Sequence, residues 1–431
     1  MSLITVREFA RLSTAQTHPH SLDEATVSPA AFDWLCKESA RLRPSGAVIL
    51  ELEDRQSLRL DNYVGVLEAP DGTRIEILPK AFDQAGDAPA ARRLLRKMLL
   101  TCMNVRPRES SVTALQTGSA PVNEWIFQQF VGELDWLLKH GLKFDYQRVQ
   151  EEQKFLRGRL NLARQVRQPP GRQHLFQIEH DIFSADRPEN RLLKSALLDV
   201  CRLTRDSDTW RWSHQLAAMM HEVPHSPNLR DDLAKWNDGR LLEAYRSIKP
   251  WCVLILHRLV PLSMVGTWMG PSLLFPMEVL FERYVSAQLA RQIGGLARLH
   301  PTPSSKFLCR HEGENMFKLK PDFAILHSNR LLAILDTKWK QIDESLSNAT
   351  DKYSLRQADF YQMHAYGHRY LNGTGVLALI FPMTALFRSP LPAFQFSDAL
   401  ALHVLPFDLE TDRLVGLERV LPSAAQLPDV A

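Results

Sequence analysis

The sequence predicts an α/β chain whose C-terminal part carries a mixed sheet, with a small N-terminal β unit and a mainly helical middle region before it. Three observations carry this. Over residues 46–79, runs such as AVILELE and RIEILP are apolar or alternate, and APDG at 69–72 has the Asp-Gly chemistry of a hairpin turn. From Ala91 the apolar spacing becomes helical. From about Pro271 the segments follow the order helix, strands, helix, strand. The expected divisions are 1–88, 89–265 and 266–431.

Taken in order, ARRLLRKMLLTCM (91–103) reads as an amphipathic helix, and Asn123 as the cap of a second helix that ends at Gly141. LKFDYQRV reads as a short β piece, and FLRGRLNLARQVRQPPGRQ as a basic stretch ending in a loop. HDIFSADRPENRLLKSALLDVCRLT (180–204) has a polar, turn-like start, then Pro188 in the first turn of a helix. Helix continues to about Val260. PMEVLFERYVSAQLARQI is a helix, KFLCRHE a strand and SLRQADFYQMHAYGHRYL a helix. GVLALIFP has the unbroken apolar character of a strand buried on both faces.

A chain of 431 residues suits two or three domains, and its net charge of +3 does not by itself imply a nucleic-acid partner. The five cysteines are scattered with no CxxC pair, which argues against a zinc ribbon or disulfide framework and for buried thiols in a reducing compartment. No apolar run is long enough to span a bilayer, and the N-terminus lacks a signal-peptide pattern, so a cytoplasmic location is expected.

The chemistry concentrates in LKPDFAILHSNRLLAILDTKWK (319–340). Two apolar runs flank a polar turn, and each carries an acid, Asp322 and Asp336. Strand alternation puts Asp336, Lys338 and Lys340 on one face and Thr337 and Trp339 on the other. A loop centred on Asn329 would set Asp322 across from Asp336, with Cβ atoms ~4.5–5.5 Å apart. Two such carboxylates suit one hard cation, Mg2+ above all, and a lysine beside them suits a reacting phosphate. A solvated edge hairpin with surface ion pairs is the competing interpretation.

This order resembles the PD-(D/E)xK nuclease superfamily, with Pro321-Asp322 as the PD element and Asp336-Thr337-Lys338 as (D/E)xK. The resemblance implies a C-terminal PD-(D/E)xK restriction-endonuclease-like domain with a mixed sheet. Gln362 and Tyr366 share a helix face and match the QxxxY element of some members. The superfamily often takes another acid from the first helix; Glu282 is favoured over Glu278. Implied site residues are thus Asp322, Asp336, Lys338, Glu282, Gln362 and Tyr366, with Asp322, Asp336 and Glu282 on Mg2+.

From about Ala90 to Pro382 the match extends to the McrC family, nuclease subunits of McrBC-type modification-dependent restriction systems. The most family-specific part is the pattern DxxSxDxxxNRxLKxAL, with Asp181, Ser184, Asp186, Asn190, Arg191 and Lys194. The resemblance implies a metal-dependent endodeoxyribonuclease that acts on DNA with a McrB-like AAA+ GTPase ring, whose hydrolysis it stimulates. In agreement, no GxxxxGK[ST] loop is present, so a motor would come from another chain. Residues 157–172 and 181–191 are the expected partner-facing parts. Two alternatives stay open: a stand-alone RecB-like repair or processing nuclease, and a non-cleaving adaptor that activates an AAA+ NTPase.

His221-Glu222-Val223-Pro224-His225 spells HExxH, but Pro224 breaks the helix a zinc protease needs. His18-Pro19-His20 has no evident partner ligands, and no GxSxG setting surrounds a serine.

Overall fold

The computed structural model describes residues 3–15, 21–42, 48–80, 87–105, 120–172, 174–236, 239–257, 273–295, 297–301, 305–328 and 330–421. His18, His20 and Asn329 lie outside them. The chain divides into two compact units, Met1–Val122 with Leu259–Ala431, and Asn123–Arg258. This differs from the three-part division read from the sequence. The helix Ala88–Cys102 packs on the helix Met277–Ile293 and so belongs with the first unit.

The first unit begins with β1 (Leu3–Arg7), β2 (Arg11–Ser13), β3 (Glu24–Thr26), the helix Pro29–Leu42, β4 (Leu50–Leu52), β5 (Ser57–Leu60), β6 (Tyr63–Glu68) and β7 (Arg74–Leu78). The β6–β7 hairpin turns at the expected Asp-Gly site. One apolar core, including Val6, Leu12, Phe32, Leu58 and Ile75, joins these elements.

The second unit combines helices with a three-stranded antiparallel sheet. Its strands are β8 (Asp145–Gln153), β9 (Arg159–Leu160) and β10 (Phe176–Ser184), in the order β8-β10-β9. The sequence reading had the start of residues 180–204 as turn-like; it is strand. Phe176, Ile178 and Ile182 alternate with Gln177, Glu179 and Asp181 and Ile178 is buried, while Phe183 and Tyr146 on the other face are largely exposed. Asn123, expected as a cap, lies inside the helix Val122–His140. The helix Ser207–Met219 ends before His221, and His221 and Glu222 are exposed, as Pro224 required.

The chain then returns to the first unit. β11 (Leu273–Pro276) adds to the N-terminal sheet, giving the order β1-β7-β6-β11. Gly65 permits this pairing: its φ is +132°, and a Cβ there would stand 1.9 Å from the Leu273 carbonyl oxygen. The helix Met277–Ile293 follows, then β12 (Arg298–Pro301) and the exposed hairpin of β13 (Lys306–His311) and β14 (Glu314–Leu319). Next come β15 (Phe323–His327), β16 (Arg330–Thr337), the helix Gln357–Leu371, β17 (Gly375–Pro382), β18 (Phe394–Ser397), β19 (Leu400–Asp408) and β20 (Arg413–Leu414).

The seven-stranded sheet runs β12-β15-β16-β17-β19-β18, with β20 on β19. It is mixed: β16-β17-β19 are parallel and the rest antiparallel. Met363, Tyr366 and Tyr370 of the crossover helix pack with Ile334, Leu377, Leu379 and Leu402 on one face. Phe281 and Tyr284 meet Phe407 from the helix Met277–Ile293. All five cysteines are free, but only Cys252 is fully buried; Cys36, Cys102 and Cys201 are half-buried and Cys309 is exposed on β13, so the expectation of uniformly buried thiols fails. Among the described residues no helix is long and apolar enough to cross a membrane.

Candidate active site

The site forms where β15 and β16 meet the two helices. β15 pairs with β16 through Phe323↔Leu335 and Ala324↔Ile334, a register that places Asp322 opposite Asp336. A bulge between Ile325 and Leu326 shifts the register nearer the turn, leaving the acid end aligned. β16 is buried along its second half because it lies between β15 and parallel β17, so Asp336 is only 2 % exposed.

Lys338 Nζ lies 2.6 Å from Asp336 Oδ2, an ion pair off the direction of a hydrogen bond. Lys338 Nζ also donates to Gln362 Oε1 at 3.1 Å. Gln362 Nε2 donates to the Tyr366 hydroxyl at 2.6 Å, which donates to the Lys320 carbonyl at 2.9 Å. The ammonium has only protons to offer, so the orientation of the Gln362 amide follows from its neighbours. This chain ties the segment before Asp322 to the segment after Asp336.

Thr337 was expected to face away, yet both its backbone nitrogen and its hydroxyl bond Asp322 Oδ2, each at 2.6 Å. Asp322 reaches across to it from the neighbouring strand, which intrastrand alternation does not capture. Lys340 leaves the Asp336 group and pairs with Asp359 at 3.2 Å, because β16 ends at Thr337 and the alternation ends with it. Thr337 and Asp359 are therefore residues the sequence reading missed. Asp359 was visible only as a polar residue in the first turn of a helix.

Burial raises the carboxyls of both Asp322 and Asp336, the second also through repulsion from the first, while the Thr337 hydrogen bonds work against the rise at Asp322. Glu282 is pushed up to about 7, first by burial and then by Asp322 and Asp336. Glu278 instead adds to the charge felt by Glu8 and Tyr63. Burial pulls Lys338 down, but the charge of the Asp336 carboxylate outweighs it, so its pKa is raised and it stays an ammonium.

Asp336 is buried, Asp322 and Glu282 are half-buried, and all three feel the charge of Lys338. An excess of buried negative charge fits a hard cation that uses one or two carboxylates and keeps several waters. Among the described residues no three His, Cys, Asp or Glu side chains close into a metal cage. Glu282 acts on the pair electrostatically without completing such a group.

Raised carboxyl pKa values have a consequence for stability. The folded state holds these protons more tightly, so the contribution is fully present below the ordinary value of 4.5 and is lost as pH rises through about 7. A cation binding the deprotonated acids reverses that loss. Mg2+ is expected to raise the melting temperature more at about pH 8 than at about pH 6. Thermal melts at both values check this; equal shifts would contradict it.

The sequence matches the family described as McrBC 5-methylcytosine restriction system component over residues 58–382. That match covers most of the chain, and the chain belongs to this family. The fold is similar to a chain of the refined half-complex from the tetradecameric assembly of Thermococcus gammatolerans McrB AAA+ hexamers with bound McrC. There the TM-score is 0.69 at 17 % identity, covering 98 % of this chain and 99 % of that one. A chain of the cryo-EM structure of the Thermococcus gammatolerans McrBC complex gives a TM-score of 0.53 at 20 % identity, over 68 % of this chain and 88 % of that one. No protein of curated function matches the sequence.

Proposed function

We propose that this chain is the DNA-cleaving subunit of a McrBC-like modification-dependent restriction system in the cytoplasm. It is a Mg2+-dependent endodeoxyribonuclease with a PD-(D/E)xK-type C-terminal domain. It works with an AAA+ GTPase ring whose hydrolysis it stimulates. The observation that carries the reading is the alignment of Asp322 with Asp336 on β16, with Lys338 just past the strand's end paired to Asp336, within a chain of the McrBC family.

Asp322 and Asp336 are the residues that would hold Mg2+, and Glu282 adds the third negative charge. When bound, the metal supplies a lowered pKa for water and a charge against the phosphate. Lys338, an ammonium beside Asp336, would offset the charge that grows on the scissile phosphate. Gln362 and Tyr366 hold Lys338 in place through the hydrogen-bond chain to Lys320. Thr337 holds Asp322.

The partner ring fits the second unit. Residues 157–172 and the β8–β10 ribbon carry exposed Tyr146, Phe155, Leu156, Leu162, Val166 and Phe183, an apolar surface of the kind that marks an interface. The family pattern within 181–194 divides there. Arg191 pairs with Asp186 and Asp232, each at 2.8 Å, Asn190 is fully buried, and Lys194 bonds the Ala217 and Met220 carbonyls. Those three brace the second unit, which leaves partner contact to the ribbon.

Cleavage of modified and unmodified plasmid DNA in Mg2+, by the chain alone and with the GTPase and GTP, tests the reading. Cutting by the chain alone, indifferent to GTP, would favour a stand-alone nuclease. Lys338→Met is expected to slow single-turnover cleavage by ~100-fold or more while GTPase stimulation persists. Cleavage at the wild-type rate would remove Lys338 from the mechanism.

A further inference from the structure

Glu8 sits in the turn after β1 and is fully buried. Its Oε1 accepts hydrogen bonds from the Trp339 indole nitrogen and from the Lys80 backbone nitrogen, both at 2.7 Å. Its Oε2 is buried with no hydrogen-bond partner among the described residues. A buried carboxyl so incompletely satisfied is costly. Among the described residues its one side-chain hydrogen-bond donor is Trp339, which points to what the buried carboxyl does.

Trp339 directly follows Lys338. β16 ends at Thr337, so the strand ladder no longer fixes the chain there. Lys338 is held on one side by its backbone nitrogen on the Ile380 carbonyl at 2.9 Å. On the other side it is held by the Trp339–Glu8 bond. The same indole meets Phe281 at a ring distance of 5.1 Å, one residue before Glu282. One buried ring therefore adjoins both the lysine segment and the acid-bearing helix, and a carboxyl from the far end of the sequence sets its orientation.

We propose that Glu8 is a positioning residue for the active site, acting through Trp339 to fix Lys338 and Glu282. This gives the N-terminal β unit a share in the catalytic centre. The inference rests on the phosphodiesterase reading of that centre.

Trp339→Phe keeps a ring against Phe281 and removes the N–H, so folding is protected while the orienting bond is lost. In the full chain with GTPase, GTP, Mg2+ and plasmid DNA, the single-turnover cleavage rate is expected to fall at least about tenfold. DNA affinity and GTPase stimulation should stay within about twofold, since a displaced lysine affects the step and not the docking. Glu8→Gln, which keeps an acceptor for the indole, should cut within about threefold of wild type, whereas Glu8→Leu should behave like Trp339→Phe. Hydrogen exchange over residues 333–340 is the second readout, expected to quicken in Trp339→Phe and Glu8→Leu and not in Glu8→Gln. If wild type fails to cut, the phosphodiesterase reading falls, and exchange alone decides whether Glu8 fixes the segment. Wild-type cutting by Trp339→Phe, or wild-type exchange in it, would overturn the positioning role.

Discussion

Asp336→Ala is expected to abolish DNA cleavage, by at least about 1,000-fold, which corresponds to ~4 kcal/mol of transition-state stabilisation. Asp336 is the acid that meets Asp322 across the strands, pairs with Lys338 and is nearly inaccessible to solvent. No neighbouring group can replace it. Asp322 is committed to Thr337, and Glu282 stands on a separate helix. The fold should survive, because the substitution also removes a buried carboxyl whose burial and repulsion raise its pKa. Single-turnover cleavage gives the loss, and GTPase stimulation by the same preparation serves as the folding control. Loss of cutting with stimulation retained separates the nuclease from a pure adaptor. Cutting at the wild-type rate would mean that the reacting phosphate lies elsewhere.

The second large effect is structural. Glu76 on β7 is fully buried and takes Arg92 Nη2 at 2.6 Å from the helix Ala88–Cys102. It also accepts from the Thr5 hydroxyl and the Val122 backbone nitrogen, each at 3.2 Å. Arg92→Ala would strand a carboxylate in the core, which costs ~3–5 kcal/mol. Chemical denaturation of the full chain measures this. Adding Glu76→Gln should recover part of the loss, since the stranded charge is then gone. A loss under ~1 kcal/mol would mean that the pair behaves as a surface ion pair. The layer concerned underlies the site, because this helix packs on the helix Met277–Ile293 that carries Glu282.

The acid pair was legible in the sequence because two apolar strands frame it and a short turn limits the register. The Gln362–Tyr366 pair was legible because both lie on one helical face. What lay hidden depended on distance or on solvent. Glu8 is 331 positions from Trp339, and no local pattern could join them. Thr337 acts through a carboxylate on the adjoining strand. β10 carries the alternation of Phe176, Ile178 and Ile182, but His180 interrupts it with a polar side chain and Phe183 lies exposed on the other face. Helix Ala88–Cys102 read well as a helix, but its unit was misplaced, since nothing in its own residues tells which neighbour its apolar face meets. The strands β18 and β20, short and at the sheet's margin, left no mark strong enough to read.

The most direct test of the central claim is the rate of plasmid scission against Mg2+ concentration in the full mixture of chain, GTPase and GTP. The account predicts a rate that is negligible without the ion and saturates with it, with no such response in Asp336→Ala. Cutting that is indifferent to Mg2+, or that keeps its full response to the ion without Asp336, would contradict it.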